Sequence, residues 1–398
     1  MSKATQNRTV VIVGASAAGA AAAESLRKRG YRGMIQMIGD ETQLAYDRPP
    51  LSKQLLLGEE GFEFVQLLTE ADIERLEVDL VRGVRAVGLD LTRQVVALEN
   101  GSETDYDHLI VATGVRARQL AATDRVSDAF SLRTYDDALA LRERLQPGCH
   151  VVVLGAGFIG LEVAATAVKR GCTVHVVEPA ARPLLGKFPS ELADRIQQDH
   201  EARGVRFHFG ASVSRWNNTP EGALRSVTLE DGSDVAADIA VVGIGTIPNT
   251  EWLSGSDLVV DNGVVCDERG RAAERVFAVG DVANWFHPRI GANVRVEHRL
   301  SAGEQADIVA AQISETDIPD IDLPFFWSDQ YEAKWQAYGH IRSDADLEVI
   351  VDDPAANRIV AVLTRDGVME AVVGKNAAKQ LIPYRRQLKC VPANRAGR

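Results

Sequence analysis

Two segments of the chain repeat one pattern of strand, glycine turn and helix. Residues 9–30 read TVVIVGASAAGAAAAESLRKRG and residues 151–171 read VVVLGAGFIGLEVAATAVKRG. In both copies the first glycine of the turn and the glycine after the helix lie 16 positions apart. A strand that leads through such a turn into a helix is typical of a parallel α/β domain. The repeat therefore predicts two related α/β domains in one chain of 398 residues.

The glycines of the second copy have the Gly-x-Gly-x-x-Gly spacing of a dinucleotide-binding turn. The first glycine permits the tight turn, the second lets a pyrophosphate approach the backbone, and the third lets helix and strand pack closely. The first copy keeps this spacing with a serine, also small, in the middle. We name residues 14–19 the first phosphate turn and residues 155–160 the second phosphate turn. A single copy could be a turn that binds nothing, but two copies favour nucleotide binding. The candidate residues are Gly14, Ser16, Ala17, Ala18, Gly19, Gly155, Gly157, Phe158, Ile159 and Gly160.

Acidic residues end the strand that follows each phosphate turn. Glu178 ends CTVHVVE, 23 residues after Gly155, close to the spacing of about 20 expected for the acid that binds a ribose. A carboxylate there accepts hydrogen bonds from ribose hydroxyls and repels a 2′-phosphate, which favours NADH over NADPH. Asp40 and Glu41 follow the strand MIQMIG and are candidates for a second adenosine ribose. The alternative for each acid is a solvated residue after a strand.

The composition limits the kinds of site and partner. The net charge of −12 argues against nucleic acid as the main partner. The cysteines are far apart, which predicts no metal site and is typical of a reducing cytoplasm. They are Cys149, Cys172, Cys266 and Cys390. The longest apolar stretch, residues 10–23, is too short to span a bilayer. We therefore expect a cytoplasmic protein that binds no membrane.

Two dinucleotide sites in one chain suggest FAD and NADH. Three later segments agree, because each is an apolar strand that ends in a glycine-containing turn: YDHLIVATG, DIAVVGIGTIPN and VFAVGDVAN. Each would be an ordinary buried strand on its own, and their order around the two turns is what points to a flavoprotein. The further candidate residues are Ala112, Thr113, Gly114, Gly245, Gly280 and Asp281.

This order of motifs resembles the glutathione-reductase-like flavoproteins over about residues 8–385. It is most similar to the NADH-dependent ferredoxin reductases of bacterial oxygenase systems. The motifs that narrow the resemblance to these ferredoxin reductases are YDRPPLSK, GFIGLEVAATA, GIGTIPN, VGD and FWSDQY. The resemblance implies an α/β fold with two Rossmann-like domains and a C-terminal α+β interface domain. The expected boundaries are 1–113 and 244–323 for a split FAD domain, 114–243 for the NAD domain, and 324–398 for the C-terminal domain.

The resemblance also implies the activity. Electrons would pass from NADH through FAD, one at a time, to a [2Fe–2S] ferredoxin that serves a monooxygenase or a ring-hydroxylating dioxygenase. Disulfide reductases of the superfamily carry two cysteines where this chain reads ETQLAYDRPPLSKQLLLG, so the electrons are expected to leave for an external acceptor. The alternatives are a rubredoxin or monodehydroascorbate-type reductase, or an apoptosis-inducing-factor-like protein gated by NADH. The chain is expected to be a monomer or a weak homodimer.

Individual site residues follow from the same resemblance. Lys53 is expected beside the flavin and paired with Glu162, where its cation would stabilise the negative charge that arrives with a hydride. Arg299 replaces a tryptophan that is common at this position, which makes packing over the flavin ring uncertain. The other residues carried over are Arg48, Val84, Arg133, Asp281, Glu297, His298 and Trp327. Several arginines could form a basic patch for an acidic ferredoxin or be scattered and solvated: Arg289, Arg295, Arg299, Arg385 and Arg386.

Overall fold

The first phosphate turn lies at the end of the central strand of a six-stranded sheet. The computed structural model describes residues 8–120 and 126–390. In order across the sheet, the strands are Arg271–Ala273, Val276–Ala278, His108–Val111, Thr9–Val13, Met34–Gly39 and Val78–Arg82. All neighbours are parallel except the first pair. The helices Ala17–Lys28 and Arg299–Ile313 pack against each other. The sheet thus takes strands from both segments of the proposed FAD domain.

The second phosphate turn occupies the equivalent place in a five-stranded parallel sheet. Its strands, in order, are Arg206–Phe209, Thr173–Glu178, His150–Leu154, Ile239–Val242 and Ala129–Ser131. The helices of this region are Tyr135–Arg144, Phe158–Lys169 and Ser190–Glu201. Two short antiparallel strands, Val115–Ala117 and Thr246–Pro248, pair where the chain passes between the two regions.

The central strands of both sheets are apolar because both faces are covered. Val10, Val11 and Ile12 are fully buried, as are Val151 and Val152. Parallel strands covered on both faces are near-continuous apolar runs without polar alternation. The runs VVIV and VVVL in the sequence are therefore uninterrupted by polar residues.

The C-terminal region is a five-stranded antiparallel sheet with one helix. In order, its strands are Phe325–Gln330, Ala333–Gly339, Val368–Lys375, Arg358–Arg365 and Asp346–Asp353, and its helix is Ala378–Cys390. Its first strand contacts the helix Phe158–Lys169, so the strand that carries FWSDQY packs on the second phosphate-binding unit. The fold predicted from the sequence, two Rossmann-like units and an α+β domain, is confirmed.

Smaller elements complete the described chain. Two three-stranded antiparallel sheets have the strands Ala86–Asp90, Val95–Leu98 and Glu103–Asp105, and Val213–Asn218, Leu224–Leu229 and Asp234–Ala236. A third three-stranded sheet is mixed and has the strands Val264–Cys266, Ala283–His287 and Ala292–Arg295. Its first two strands are parallel and its last two are antiparallel. The short helices are Pro49–Ser52, Gln54–Leu57, Phe62–Val65, Glu70–Leu76, Glu251–Leu253 and Gly280–Val282. The YDRPPLSK motif thus contains one short helix and leads directly into another.

Candidate functional site

The two phosphate turns have the same backbone geometry. Gly14 and Gly155 begin them with φ angles of +116° and +99°, values that side-chain-bearing residues rarely adopt. A Cβ at Gly155 would lie 2.5 Å from the carbonyl oxygen of Gly243, and one at Gly14 would collide with the carbonyl of Ala112. The first glycine is therefore required by the protein itself, whether or not a nucleotide is bound.

The middle position of the second turn is different, because it faces open space. A Cβ built at Gly157 would have no atom of the described residues within 4 Å, whereas one at Gly160 would collide with the carbonyl of Gly155. Gly157 directly precedes the helix Phe158–Lys169, where unpaired backbone N–H groups and the helix dipole attract phosphate. Ile159 is 48% exposed in the first turn of the helix. The turn is thus a preformed cradle with room for a pyrophosphate.

The first turn is closed on one side by the VGD segment. Ser16 precedes the helix Ala17–Lys28, as Gly157 does in the second turn. Ala18 and Gly280 lie in contact, since a Cβ at Gly280 would be 2.8 Å from that of Ala18. Gly19 is the close-packing glycine of this copy, because its Cβ would collide with the carbonyl of Gly14. Residues distant in sequence therefore meet at the first phosphate turn.

Glu178 is fixed at the edge of the second turn. One carboxylate oxygen accepts a hydrogen bond from the backbone N–H of Ala156 at 2.7 Å, and the other accepts from that of Ala180 at 2.9 Å. The carboxylate is half-buried, so it remains open to a ligand on one side. The acid predicted to bind a ribose therefore lies beside the phosphate cradle.

The two acids after the first turn differ in their surroundings. Glu41 accepts hydrogen bonds from Arg48, at 2.5 Å, and from the hydroxyl of Tyr46. Burial raises the pKa of Tyr46 far above its usual range, so this hydroxyl stays protonated and can donate. Glu41 thus ties the YDRPP corner to the sheet. Asp40 is exposed and forms an ion pair with Arg85 at 3.1 Å.

Lys53 and Glu162 form a buried ion pair. The Lys53 ammonium lies 2.8 Å from the Glu162 carboxylate, and their side chains are 12% and 4% exposed. The hydroxyl of Ser52 donates to the same carboxylate oxygen at 2.5 Å, and that of Ser328 donates to the other at 2.7 Å. Removing water around such a pair strengthens its field on neighbouring groups. The pairing predicted from YDRPPLSK and IGLE is therefore present, although Ser52 and Ser328 were not anticipated.

A second ion pair, which is partly buried, joins the SLRT and VGD motifs. Arg133 lies 2.9 Å from Asp281 and its backbone carbonyl accepts a hydrogen bond from Arg48 at 2.6 Å. Burial, together with the nearby Arg48 cation, lowers the pKa of Arg133. The Nε atom of Arg133 and the Nδ1 atom of His298 are buried without a hydrogen-bond partner among the described residues. Such orphaned polar atoms need a partner that the described protein atoms do not supply, and both residues are among those predicted to bind FAD.

The strand-end turns of the two units are bonded to each other. Thr113 and Asn249 exchange two hydrogen bonds, of 2.8 and 2.9 Å, and the backbone N–H of Asn249 donates to the carbonyl of Gly114 at 3.0 Å. Thr246, next to Gly245, donates to Glu297 at 2.5 Å. The GIGTIPN segment, which leaves the second sheet, therefore forms part of the boundary of the first site.

The remaining predicted residues surround these pairs. Val84 donates its backbone N–H to the carbonyl of Gly39 at 3.0 Å, beside the acidic strand end. Arg299 forms an ion pair with Asp47 of YDRPPLSK. This ion pair stands where a tryptophan is common. Trp327 is half-buried and stacks on Phe325, with ring centroids 6.0 Å apart, on the opposite face of the strand from Ser328. Its expected place at the flavin edge stays a prediction.

Three of the five arginines that could form a basic patch are ion-paired with acids of the chain. Arg295 pairs with Glu297, and Arg299 pairs with Asp47. Arg385 shares the single carboxylate of Asp322 with Lys389, so cations outnumber acids at that point. The basic patch for a ferredoxin therefore stays a prediction.

A family model for pyridine nucleotide-disulphide oxidoreductases matches residues 8–306. The chain belongs to this family. A second model, for the reductase C-terminal domain, matches residues 325–392. Members of the family use FAD and NAD(H), in agreement with the two cofactors predicted from the paired turns.

Individual relatives narrow the similarity. The chain is 38% identical to the ferredoxin–NAD(+) reductase component of the anthranilate 1,2-dioxygenase system of Burkholderia cepacia, over 94% of this chain and 93% of that protein. It is 38% identical to rhodocoxin reductase of Rhodococcus erythropolis, over 86% and 80% of the two chains. The structure of the covalent putidaredoxin reductase–putidaredoxin complex matches with a TM-score of 0.92 and 32% identity, over 96% and 93%. The resemblance inferred from the motifs is therefore confirmed.

In residues 8–120 and 126–390, no group of three or more histidine, cysteine or acidic side chains could hold a metal ion. Within the same residues, no helix has the length and apolar character that a membrane crossing requires. Cys149, Cys172 and Cys266 are free thiols, and burial raises the pKa of Cys172 to about 11. Buried, protonated thiols of this kind are poor nucleophiles.

Proposed function

We propose that this oxidoreductase is an FAD-dependent NADH:ferredoxin reductase. The observation that carries the proposal is the buried ion pair between Glu162 and Lys53, which ends a YDRPPLSK segment without cysteine. Disulfide reductases of the family need a cysteine pair there, so electrons from this chain must go to an external acceptor. The relatives that match over more than 90% of both chains include a ferredoxin–NAD(+) reductase component and putidaredoxin reductase in complex with putidaredoxin.

Each of the two phosphate turns binds one of the two cofactors. The second turn and Glu178 hold NADH, with its pyrophosphate at Gly157. The first turn, Arg133 and His298 hold FAD, which when bound accepts a hydride from NADH and gives up electrons singly. One NADH reduces two ferredoxins and releases one proton. Little side-chain acid–base chemistry is needed, and burial, which lowers the pKa of His298 to about 4, keeps this imidazole neutral.

Lys53 has the electrostatic role. Its side chain is only 12% exposed, so water screens the ammonium charge little and its interaction with neighbouring charged groups is strong. A fixed cation stabilises negative charge that arrives with the hydride, without reorganisation during the reaction. Glu162 holds the ammonium in place and offsets part of its charge.

We also propose the finer assignments that the sequence suggested. The ferredoxin is of the [2Fe–2S] type and passes electrons to an oxygenase. The chain acts in the cytoplasm, which its scattered free cysteines favour, as a monomer or weak homodimer. The domain boundaries remain 1–113 with 244–323, 114–243, and 324–398.

Cytochrome c reduction by NADH, measured with and without added ferredoxin, tests the proposal. We expect a [2Fe–2S] ferredoxin to accelerate the reaction strongly and rubredoxin or monodehydroascorbate to do so weakly. The Lys53→Met variant is the matched control, because it should retain FAD and lose most of the ferredoxin-dependent rate. If no ferredoxin accelerates the reaction, or if NADH is oxidised slowly while the protein dimerises, the proposal is wrong.

A further inference from the structure

A continuous series of hydrogen bonds leads from the Lys53–Glu162 pair through the first C-terminal strand to the half-buried Tyr331. Beyond Glu162, Ser328 contacts the carboxylate at 2.7 Å and the side-chain amide of Gln330 contacts Ser328 at 3.1 Å. His200 Nε2 lies 3.0 Å from Gln330 Oε1, and the Tyr331 hydroxyl lies 3.1 Å from His200 Nδ1. Nothing in the motif analysis assigned a role to Ser328, Gln330 or His200.

The chemistry of the groups fixes the direction of every bond in this series. A carboxylate only accepts, so the Ser328 hydroxyl must donate to Glu162 and accept from the Gln330 NH₂ group. The Gln330 oxygen then faces His200, whose Nε2 must carry a hydrogen. Its Nδ1 therefore accepts from Tyr331. All four donors point toward Glu162, and hydrogen bonds aligned in this way strengthen one another.

The surroundings keep His200 in the neutral form that this order requires. The residue is fully buried, and burial lowers its pKa to about 4. Ser328 and Gln330 are also buried, at 1% and 2% exposure. A buried polar group that loses its partner costs more than the bond contributed, so each member favours the orientation of the next.

The series joins three parts of the fold. Ser52 and Lys53 belong to the FAD side, Glu162 lies on the helix Phe158–Lys169, and Ser328 and Gln330 lie on the first C-terminal strand. The Glu162 carboxylate thus contacts side chains from the other two parts of the fold.

We propose that Ser328, Gln330 and His200 are positioning residues that hold the Glu162 carboxylate against the Lys53 ammonium and thereby set the reduction potential of the flavin. The inference rests on the proposed function only in placing FAD beside Lys53. It requires no particular electron acceptor. When the hold on Glu162 loosens, the Lys53 cation is less completely offset and reduced flavin is more stable.

The test is a double-mutant cycle on the FAD-loaded protein, with the flavin midpoint potential measured against redox dyes. Neither NADH nor ferredoxin is needed, so failure of the proposed acceptor does not affect the result. We expect Ser328→Ala, Gln330→Leu and His200→Leu to shift the potential in the positive direction, as Glu162→Gln does. In the Glu162→Gln background these shifts should vanish, because the residues act through Glu162.

Two further variants separate positioning from general loosening of the core. His200→Gln keeps an N–H donor near the Nε2 position and should restore the potential. Ser256→Ala removes another buried hydroxyl, which donates to the Leu253 carbonyl at 2.6 Å and has no contact with Glu162 among the described residues, and should leave the potential unchanged. If Ser328→Ala does not fold, Ser328→Cys, with its weak donor, should give a smaller positive shift.

Three results would overturn the inference. The first is a Ser328→Ala potential equal to that of Ser256→Ala. The second is a shift that persists undiminished in the Glu162→Gln background, which would mean a structural effect independent of the carboxylate. The third is His200→Gln behaving like His200→Leu.

Discussion

Alanine at Gly155 and at Gly157, two positions apart in one turn, should have opposite consequences. At Gly155 the φ angle of +99° is strained for alanine, and the new Cβ would press to 2.5 Å against the carbonyl of Gly243. Strain of this kind costs about 1–3 kcal/mol, and the steric clash adds to it. We expect a melting temperature several degrees lower and poor retention of both cofactors.

Gly157→Ala should leave stability almost unchanged. Gly157 has a φ angle of −76° and a ψ angle of 174°, which alanine adopts without strain, and its Cβ would meet no atom within 4 Å. The entropy gain of about 0.4–1 kcal/mol from replacing glycine is offset by the poorer helix cap that alanine makes. The methyl group instead occupies the space for the pyrophosphate. A loss of about 1.4 kcal/mol in binding would raise the Kd for NADH tenfold.

Thermal melts and NADH titration of the two variants, with wild type in parallel, measure these effects. FAD content, read from the visible absorbance, controls for damage to the first site. The reasoning is refuted if Gly157→Ala binds NADH as tightly as wild type, since the open position would then not be the pyrophosphate cradle. It is equally refuted if Gly155→Ala melts like wild type.

Three further predictions concern single side chains. Lys53→Met should slow flavin reduction by NADH in stopped-flow measurements, and it should lower the free energy of unfolding by about 3 kcal/mol because Glu162 stays buried without its cation. Lys53→Arg keeps the positive charge and should change both quantities less. Equal changes in the two variants would contradict the ion-pair role. Glu178→Gln should lower the preference for NADH over NADPH about tenfold in kcat/KM, since the charge that repels a 2′-phosphate is gone; an unchanged ratio would remove Glu178 from the ribose site. His200 is neutral when folded, with a pKa of about 4, but takes up a proton near pH 6.5 when unfolded. The stability that depends on neutral His200 is therefore fully present above pH 6.5 and falls by up to about 3 kcal/mol as the pH drops toward 4. The melting temperatures at pH 7.5 and pH 5 should therefore differ less for His200→Gln than for wild type.

The repeated turns made the fold predictable, because their glycines and apolar strands are local features. VVIV and VVVL form central strands, and the first glycine of each turn has the positive φ angle that its role requires. The order of the later strands could not be worked out locally, since Val276–Ala278 joins a sheet begun almost 270 residues earlier.

The candidate site was predictable only where a motif carried it. Lys53 and Glu162, 109 positions apart, were paired through a resemblance rather than through their own sequence context. Ser328 lies within FWSDQY, but a single serine in a strand gives no signal of its own, whereas the aromatic Trp327 beside it does. His200 lies on an ordinary amphipathic helix. Its contact with Gln330 depends on how the second unit packs on the C-terminal sheet, which no local pattern encodes.

The most direct test of the electron-transfer function is a single turnover without oxygen. The protein is reduced with one equivalent of NADH, mixed with excess oxidised [2Fe–2S] ferredoxin, and followed by the absorbance of flavin and ferredoxin. The proposed function predicts that the flavin is reoxidised as two ferredoxins are reduced for each NADH consumed. A flavin that remains reduced in the presence of ferredoxin, and is reoxidised only when oxygen is admitted, would contradict it.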